Sequence, residues 1–477
     1  MVRRMYEGST QLGENHKIML VTRFTPHRLD AASLILAFIA LLSSACEPPS
    51  GNTVTQGNLN TNTNTNLTTN SAGPPPAVSK EIATTPVTLP LLDAMLSDDS
   101  FVNEAKTTLQ ISDDEIQKLR DESRSAVKNL SQEGSDDEER STRASVDKAK
   151  KQVQGVLGQE KAERFISLVQ QRWAGQGDEG LVAETSNSVP TDTRIVVNAP
   201  AYRMDIFREG KLVKTYKIGI GYPEFPLPTG LRKANTIIFN PTWTPPDEPW
   251  VKGELQPGKT VEAGSKQNPL GPIKIPIGLP SLIHGGKSQA RLGTFASHGC
   301  VGLTNSQIQD FAMEISSLAG KPLTMQDIKN YEKEKTQTAE VKLEQALPIE
   351  LRYDTIVVED GKLKIFRDVY ERGTNTRENL ERVLETFGVS LDNLKAAERE
   401  KILAGISQMA INAQGRPIEL NNNQNTSATS NSSGKTGGAS NSGDGSVTRN
   451  IKGKKELVFA LTELRGKGYP APVGVKM

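Results

Sequence analysis

Two tracts that cannot bury a core divide this chain. Glu47–Ala77 (EPPSGNTVTQGNLNTNTNTNLTTNSAGPPPA) and Leu420–Ser446 (LNNNQNTSATSNSSGKTGGASNSGDGS) are dominated by Asn, Thr, Ser, Gly and Pro. Such segments cannot offset the entropy of folding, so ordered structure must form between and beside them. The 477 residues are only 35% hydrophobic and 5% aromatic, which suits a modest core with flexible connections. A net charge of +1 implies no general attraction to nucleic acid or membrane.

The first 46 residues read as an export signal. Arg23 and Arg28 precede the apolar run Ala31–Leu42, which is short for a bilayer span, and Ser43-Ser44-Ala45-Cys46 follows. Small residues before a single cysteine resemble a bacterial lipoprotein cleavage site, although Ser43 stands where Leu is usual. Initiation at Met19 would give a more ordinary signal. The expectation is lipidation at Cys46, with plain secretion as the alternative. Either places the mature protein outside the cytoplasm, in the periplasm or cell envelope. The tether, 47–88, then supplies about 40 flexible residues with a spread of roughly 35 Å.

Residues 89–175 carry a helical pattern. Ser112 and Glu115 stand at capping-box spacing, and Ala162, Phe165, Ile166 and Val169 form an apolar stripe. A small α-helical domain without catalytic constellation is expected, then a linker over 176–192. From 193 to 326 the pattern is β-rich. RIVVNAPAYRMDIFREGKLVKTYKIGIG reads as two strands joined at REGK, TIIF as another, and NPLGPIKIPIGLPSLIHGG as one leading to His284. Thr304 and Gln307 repeat the capping-box spacing before a helix with stripe Ile308, Phe311, Ala312, Ile315 and Leu318, stopped by Gly320 and Pro322. A β-hairpin extension turning at Glu359–Gly361, plus helices, is expected over 327–413. The polar tract, 414–450, and a short, uninformative tail, 451–477, complete the chain.

One stretch gathers rare residues. The chain has four histidines and two cysteines, yet His284, His298 and Cys300 fall within HGGKSQARLGTFASHGCVGLTN, His284–Asn305. With Cys46 lipidated or removed, Cys300 is a lone exported thiol. Glycines on both sides permit a sharp turn, the helix beginning near Thr304 favours thiolate, and a nearby imidazole would act as base or ion-pair partner. The Gly299 and Cys300 amides are candidate oxyanion donors. These parts suit acyl transfer through a thioester. Two His and one Cys would also suit zinc with an open position, which metal analysis distinguishes.

The same stretch resembles the signature of the YkuD-type L,D-transpeptidases: His284-Gly285, a spacer containing Gly293, then Ser297-His298-Gly299-Cys300 and Asn305. FPLPTG, NPTWTPP and NPLGP are similar to the family's intervening elements in the same order. The resemblance covers about Thr193–Met325, and Leu347–Tyr370 resembles the β extension of envelope-anchored members. It implies a mainly β fold, a YkuD-like β-sandwich with a helix after the catalytic Cys. It implies Cys300 as nucleophile and His284 as general base or thiolate partner, oriented by the Gly285 carbonyl. His298, Ser297, Gly299, Gly285 and Asn305 would support the site and its oxyanion region, with Arg291 and Trp243 as candidate substrate contacts. Peptidoglycan tetrapeptide stems would be donors, and a second stem or an envelope protein the acceptor. The membrane would be reached through the lipid anchor, with no metal, cofactor or nucleic acid. Family members carry Arg two residues after the nucleophile, where this chain has Gly302; Arg291 is the candidate replacement. Water as acceptor would give a carboxypeptidase or amidase, and a decayed site would leave a wall-binding scaffold. Sortase spacing does not fit.

Overall fold

Strand Arg194–Asn198 (β1) is apolar on both faces, and the fold uses both. In the computed structural model, which describes residues 85–129, 141–173, 187–245, 255–256, 258–278, 281–418 and 451–475, Ile195 and Val197 enter the main core. Val196 instead packs with Phe207, Val357, Phe366 and Tyr469 on the opposite side. The expected signal, Cys46, most of the tether and linker, and nearly all of the polar tract lie outside the described residues. Among the described residues no helix is long and apolar enough to cross a membrane.

The opening β segment makes four strands where two were expected. A turn at Ala199–Tyr202, closed by the Tyr202 amide on the Ala199 carbonyl at 3.0 Å, separates β1 from β2 (Arg203–Arg208). The REGK turn then leads into β3 (Lys211–Lys217). Next come β4 (Ile220–Gly221) and β5 (Gly230–Phe239). The segment expected as one strand before His284 is likewise two, β6 (Ile273–Pro276) and β7 (Leu282–His284), because the chain reverses at Gly278 and the Ser281 amide bonds its carbonyl. Phe295–Ser297 (β8), Val301–Gly302 (β9) and Ala339–Arg352 (β10) follow.

An eight-stranded mixed sheet runs β3-β2-β1-β10-β5-β6-β7-β9, and β4 pairs separately with β8. β10 therefore lies inside the main sheet, parallel to β1 and antiparallel to β5, rather than in an extension after it. The local alternation around Ile349 and Leu351 shows a strand but cannot show its partners, which lie more than 100 residues upstream. The expected hairpin is β11 (Ile356–Glu359) with β12 (Lys362–Phe366). The tail expected to carry no information supplies its third strand, β13 (Glu456–Ala460). Buried charges tie this small sheet to the large one. Arg203 Nη1 on β2 lies 2.6 Å from Glu359 on β11, while Arg194 and Arg352 pair with Glu350 inside the large sheet.

Among the described residues, five helices precede the sheets: α1 (Leu89–Leu96), α2 (Asp99–Leu109), α3 (Asp113–Asn129), α4 (Thr142–Leu157) and α5 (Gln159–Trp173). They enclose their own core around Leu92, Phe101, Phe165 and Trp173. The Ser112–Glu115 capping box forms in both directions. After β9, Thr304 caps α6 (Asn305–Leu318) by accepting from the Gln307 amide, and Ile308, Phe311, Ala312 and Ile315 are buried against the main sheet. The remaining helices are α7 (Met325–Lys333), α8 (Arg377–Thr386) and α9 (Ala396–Met409), of which α8 and α9 pack on the three-stranded sheet.

Candidate active site

The register of β7 against β9 builds the site. The two strands are parallel, with Ile283 opposite Val301 and His284 opposite Gly302. Ile283 and Val301 are fully buried in the main core. Side chains alternate across a strand, so His284 and, just before β9, Cys300 belong to the opposite face. This pairing brings residues sixteen apart in sequence onto one surface.

Each partner is held by its own turn. Ser297 closes the nucleophile turn twice: its hydroxyl donates to the Cys300 carbonyl and accepts from the Cys300 amide, the latter at 3.0 Å. Gly299 sits inside at φ +87°, a left-handed conformation that a side chain would strain. The Cys300 amide is thereby engaged and is not a free oxyanion donor in this state. The Gly299 amide has no acceptor among the described residues. On the histidine side, Asn305 Oδ1 at the start of α6 accepts from the Gly286 amide at 2.7 Å, locking the loop after β7. A Cβ on Gly285 would lie 2.8 Å from Ile308 and 3.0 Å from Asn305 Oδ1, which explains a glycine next to the histidine.

His284 is 3% exposed, and its Nδ1 lies 2.8 Å from the Gly285 carbonyl oxygen. Burial, helped by the Lys287 charge, pushes its pKa down to about 3, against the opposing pull of the Gly285 and Leu270 backbones. The ring is therefore neutral at physiological pH. Cys300 is a free, half-buried thiol. Burial pushes its pKa up, while the Leu282 backbone and the Lys287 charge pull it down. No hydrogen bond joins the His284 ring to the thiol in this state; such contacts often tighten only when substrate binds.

His298 is packed between two aromatic rings. Its ring lies edge-on to Tyr222 at 5.0 Å and to Phe225 at 4.7 Å between centroids. Both belong to the loop between β4 and β5, within GYPEFPLPTG. Arg291, on a short 3-10 turn, donates to the Tyr222 hydroxyl at 3.1 Å. Trp243 lies on the excursion between β5 and β6, bridged to Val261 through both backbone hydrogen bonds. Among the described residues no group of three or more His, Cys, Asp or Glu is arranged as a metal site. Sequence reasoning missed Tyr222, Phe225 and Lys287. The aromatics carry no local signal of their contact with His298, whereas Lys287 directly follows the His-Gly-Gly element.

Residues 192–322 match the YkuD family, the L,D-transpeptidase catalytic domain. No curated protein matches the chain. Among solved structures, the chain is similar to the catalytic domain of the E. faecium L,D-transpeptidase, at 18% identity over 35% of this chain and 100% of that one, with a TM-score of 0.23. It is also similar to an L,D-transpeptidase from Mycobacterium smegmatis, at 16% identity over 34% of this chain and 58% of that one, TM-score 0.21. The Ldtfm-avibactam carbamoyl enzyme matches at 17% identity over 34% of this chain, TM-score 0.22, and the chain spans about half of its length (49%). The family match is confined to residues 192–322.

Proposed function

We propose that this YkuD-type domain is an active peptidoglycan L,D-transpeptidase using Cys300 as nucleophile and His284 as base. The observation that carries the reading is the β7–β9 register, which sets a half-buried thiol and a buried, neutral imidazole on one face. A neutral ring can accept a proton, so the base role suits His284 better than that of a standing ion-pair partner. His284 takes the proton of the Cys300 thiol, and the thiolate attacks the carbonyl of the third residue of a tetrapeptide stem. The C–N bond to the terminal D-Ala breaks, the departing amine takes the proton held by His284, and a thioester remains. An amine of a second stem or an envelope protein then attacks the thioester, gives up a proton, and restores the thiolate. Ser297 and Asn305 hold the two turns, and the Gly299 amide is the available backbone donor for the tetrahedral oxygen. His298, packed by Tyr222 and Phe225, shapes the wall of the site, and Arg291 and Trp243 are substrate-contact candidates. Export, with lipidation at Cys46, would present the domain to the wall from a membrane.

The purified full chain incubated with disaccharide-tetrapeptide should yield cross-linked dimer and free D-Ala by mass spectrometry, and Cys300→Ala should yield neither. Tripeptide alone would reassign the domain as a carboxypeptidase. Full transfer by Cys300→Ala, or failure of folded wild-type protein to acylate at Cys300 with a carbapenem, would sink the enzyme reading.

A further inference from the structure

Gly302 leaves a gap on the active-site face, and Lys287 fills it. A Cβ on Gly302 would lie 2.8 Å from Lys287 Cγ and 3.0 Å from its Cε. Close-packed side chains do not share space in this way, so a side chain at position 302 and the Lys287 stem compete for one volume. The backbone sets the placement. The Lys287 amide donates to the Leu303 carbonyl at 3.0 Å, and the Leu303 amide donates to the His284 carbonyl at 2.9 Å. The loop leaving β7 therefore runs beside the residues leaving β9. It lays the lysine stem over Gly302, which stands opposite His284 and two residues past Cys300 on the same face.

We propose that Lys287 is the cation of this active site, pairing with the Cys300 thiolate across the space that Gly302 leaves open. The charged and titratable groups facing this pair are His284 and Arg291. His284 is neutral and cannot serve as counter-ion. Arg291 disfavours a second cation beside it, as burial does, and the thiol is the group that favours the ammonium. Burial disfavours the thiolate, and Lys287 opposes that. On balance burial still lowers the Lys287 ammonium and raises the thiol, and each ion offsets part of the desolvation of the other. The departure at Gly302 is then a relocation of positive charge from β9 to the loop after β7. A lysine suits this route, because its flexible four-carbon stem can cross a glycine and deliver a point charge.

Lys287 acts on the thiol acyl-transfer site proposed above, but thiol ionisation is measured without any stem peptide. A protein with the expected titration and no transfer activity would separate the two readings. In the full chain, alkylation of Cys300 by iodoacetamide, followed across pH by peptide mass spectrometry, should slow about tenfold at pH 7 in Lys287→Met, matching a rise of about one pKa unit in the thiol. Lys287→Arg should retain the wild-type profile. The double variant Lys287→Ala/Gly302→Arg should recover most of the rate, because the arginine enters the vacated volume. Coupling is reciprocal, so Cys300→Ser should lower the Lys287 pKa and speed acetylation of that amine by an N-hydroxysuccinimide ester at pH 7; this readout stands even where Lys287→Met does not fold. A wild-type titration in Lys287→Met, an equal loss in Lys287→Arg, or unchanged acetylation of Lys287 in Cys300→Ser would overturn the assignment.

Discussion

Burial keeps the His284 ring neutral, and that neutrality has a thermodynamic consequence. An unfolded imidazole takes up its proton near pH 6.5, while the folded one resists until about pH 3. Between those values the unfolded state binds the additional proton, so stability falls as pH drops through the window. The largest slope one group can contribute is about 1.4 kcal/mol per pH unit. Urea unfolding at pH 7.5 and 4.5 should therefore show a greater loss in wild-type protein than in His284→Gln, and equal losses would contradict the buried, neutral ring. Roles of single residues were unevenly legible in the sequence. Cys300 and His284 stood out because His and Cys are so rare in this chain. Lys287 did not, because one lysine among 57 basic residues shows its importance only through the glycine it covers.

Among the elements, α6 links core and site. Its buried stripe anchors it to the main sheet, and its first residue, Asn305, holds the Gly286 amide. The preceding Thr304 serves only the helix, accepting from the Gln307 amide at 3.2 Å. Thr304→Ala should cost about 1 kcal/mol in urea unfolding, with carbapenem acylation of Cys300 changed less than twofold. Asn305→Ala should slow that acylation by tenfold or more, because the histidine loop loses its tie. Similar acylation rates in the two variants would show that Asn305 does not position the site. This helix was readable beforehand from its cap and its period. The neighbouring strands were less so. β7 and β9 have three and two residues, too few for an alternating pattern, and only their ladder makes them strands.

Across the whole described molecule, the N-terminal helices meet the loop that packs His298. Thr88 Oγ1 donates to the Glu224 carbonyl at 3.0 Å, Thr142 Oγ1 donates to the Pro223 carbonyl at 2.8 Å, and Thr85 and Thr229 hydroxyls lie 3.0 Å apart. Glu224 and Pro223 flank the aromatic pair Tyr222 and Phe225, so the helical domain braces one wall of the site. Thr88→Val combined with Thr142→Val should slow Cys300 acylation several-fold while the Lys287-dependent titration of the thiol stays as in wild type. An unaltered acylation rate would leave the helices without a role in shaping the site.

Local order was open to inspection in the chain alone: the caps at Ser112 and Thr304, the stripe of α6, the turns at REGK and Glu359–Gly361, and the crowding of thiol and imidazoles. Each depends on residues a few positions apart, where spacing and side-chain chemistry suffice. The pairing of β10 between β1 and β5, the use of the tail as β13, the bracing of the Tyr222–Phe225 loop and the seat of Lys287 over Gly302 emerged only once the chain was folded. These contacts join segments distant in sequence, or depend on the space one side chain leaves for another. No pattern along the chain records either.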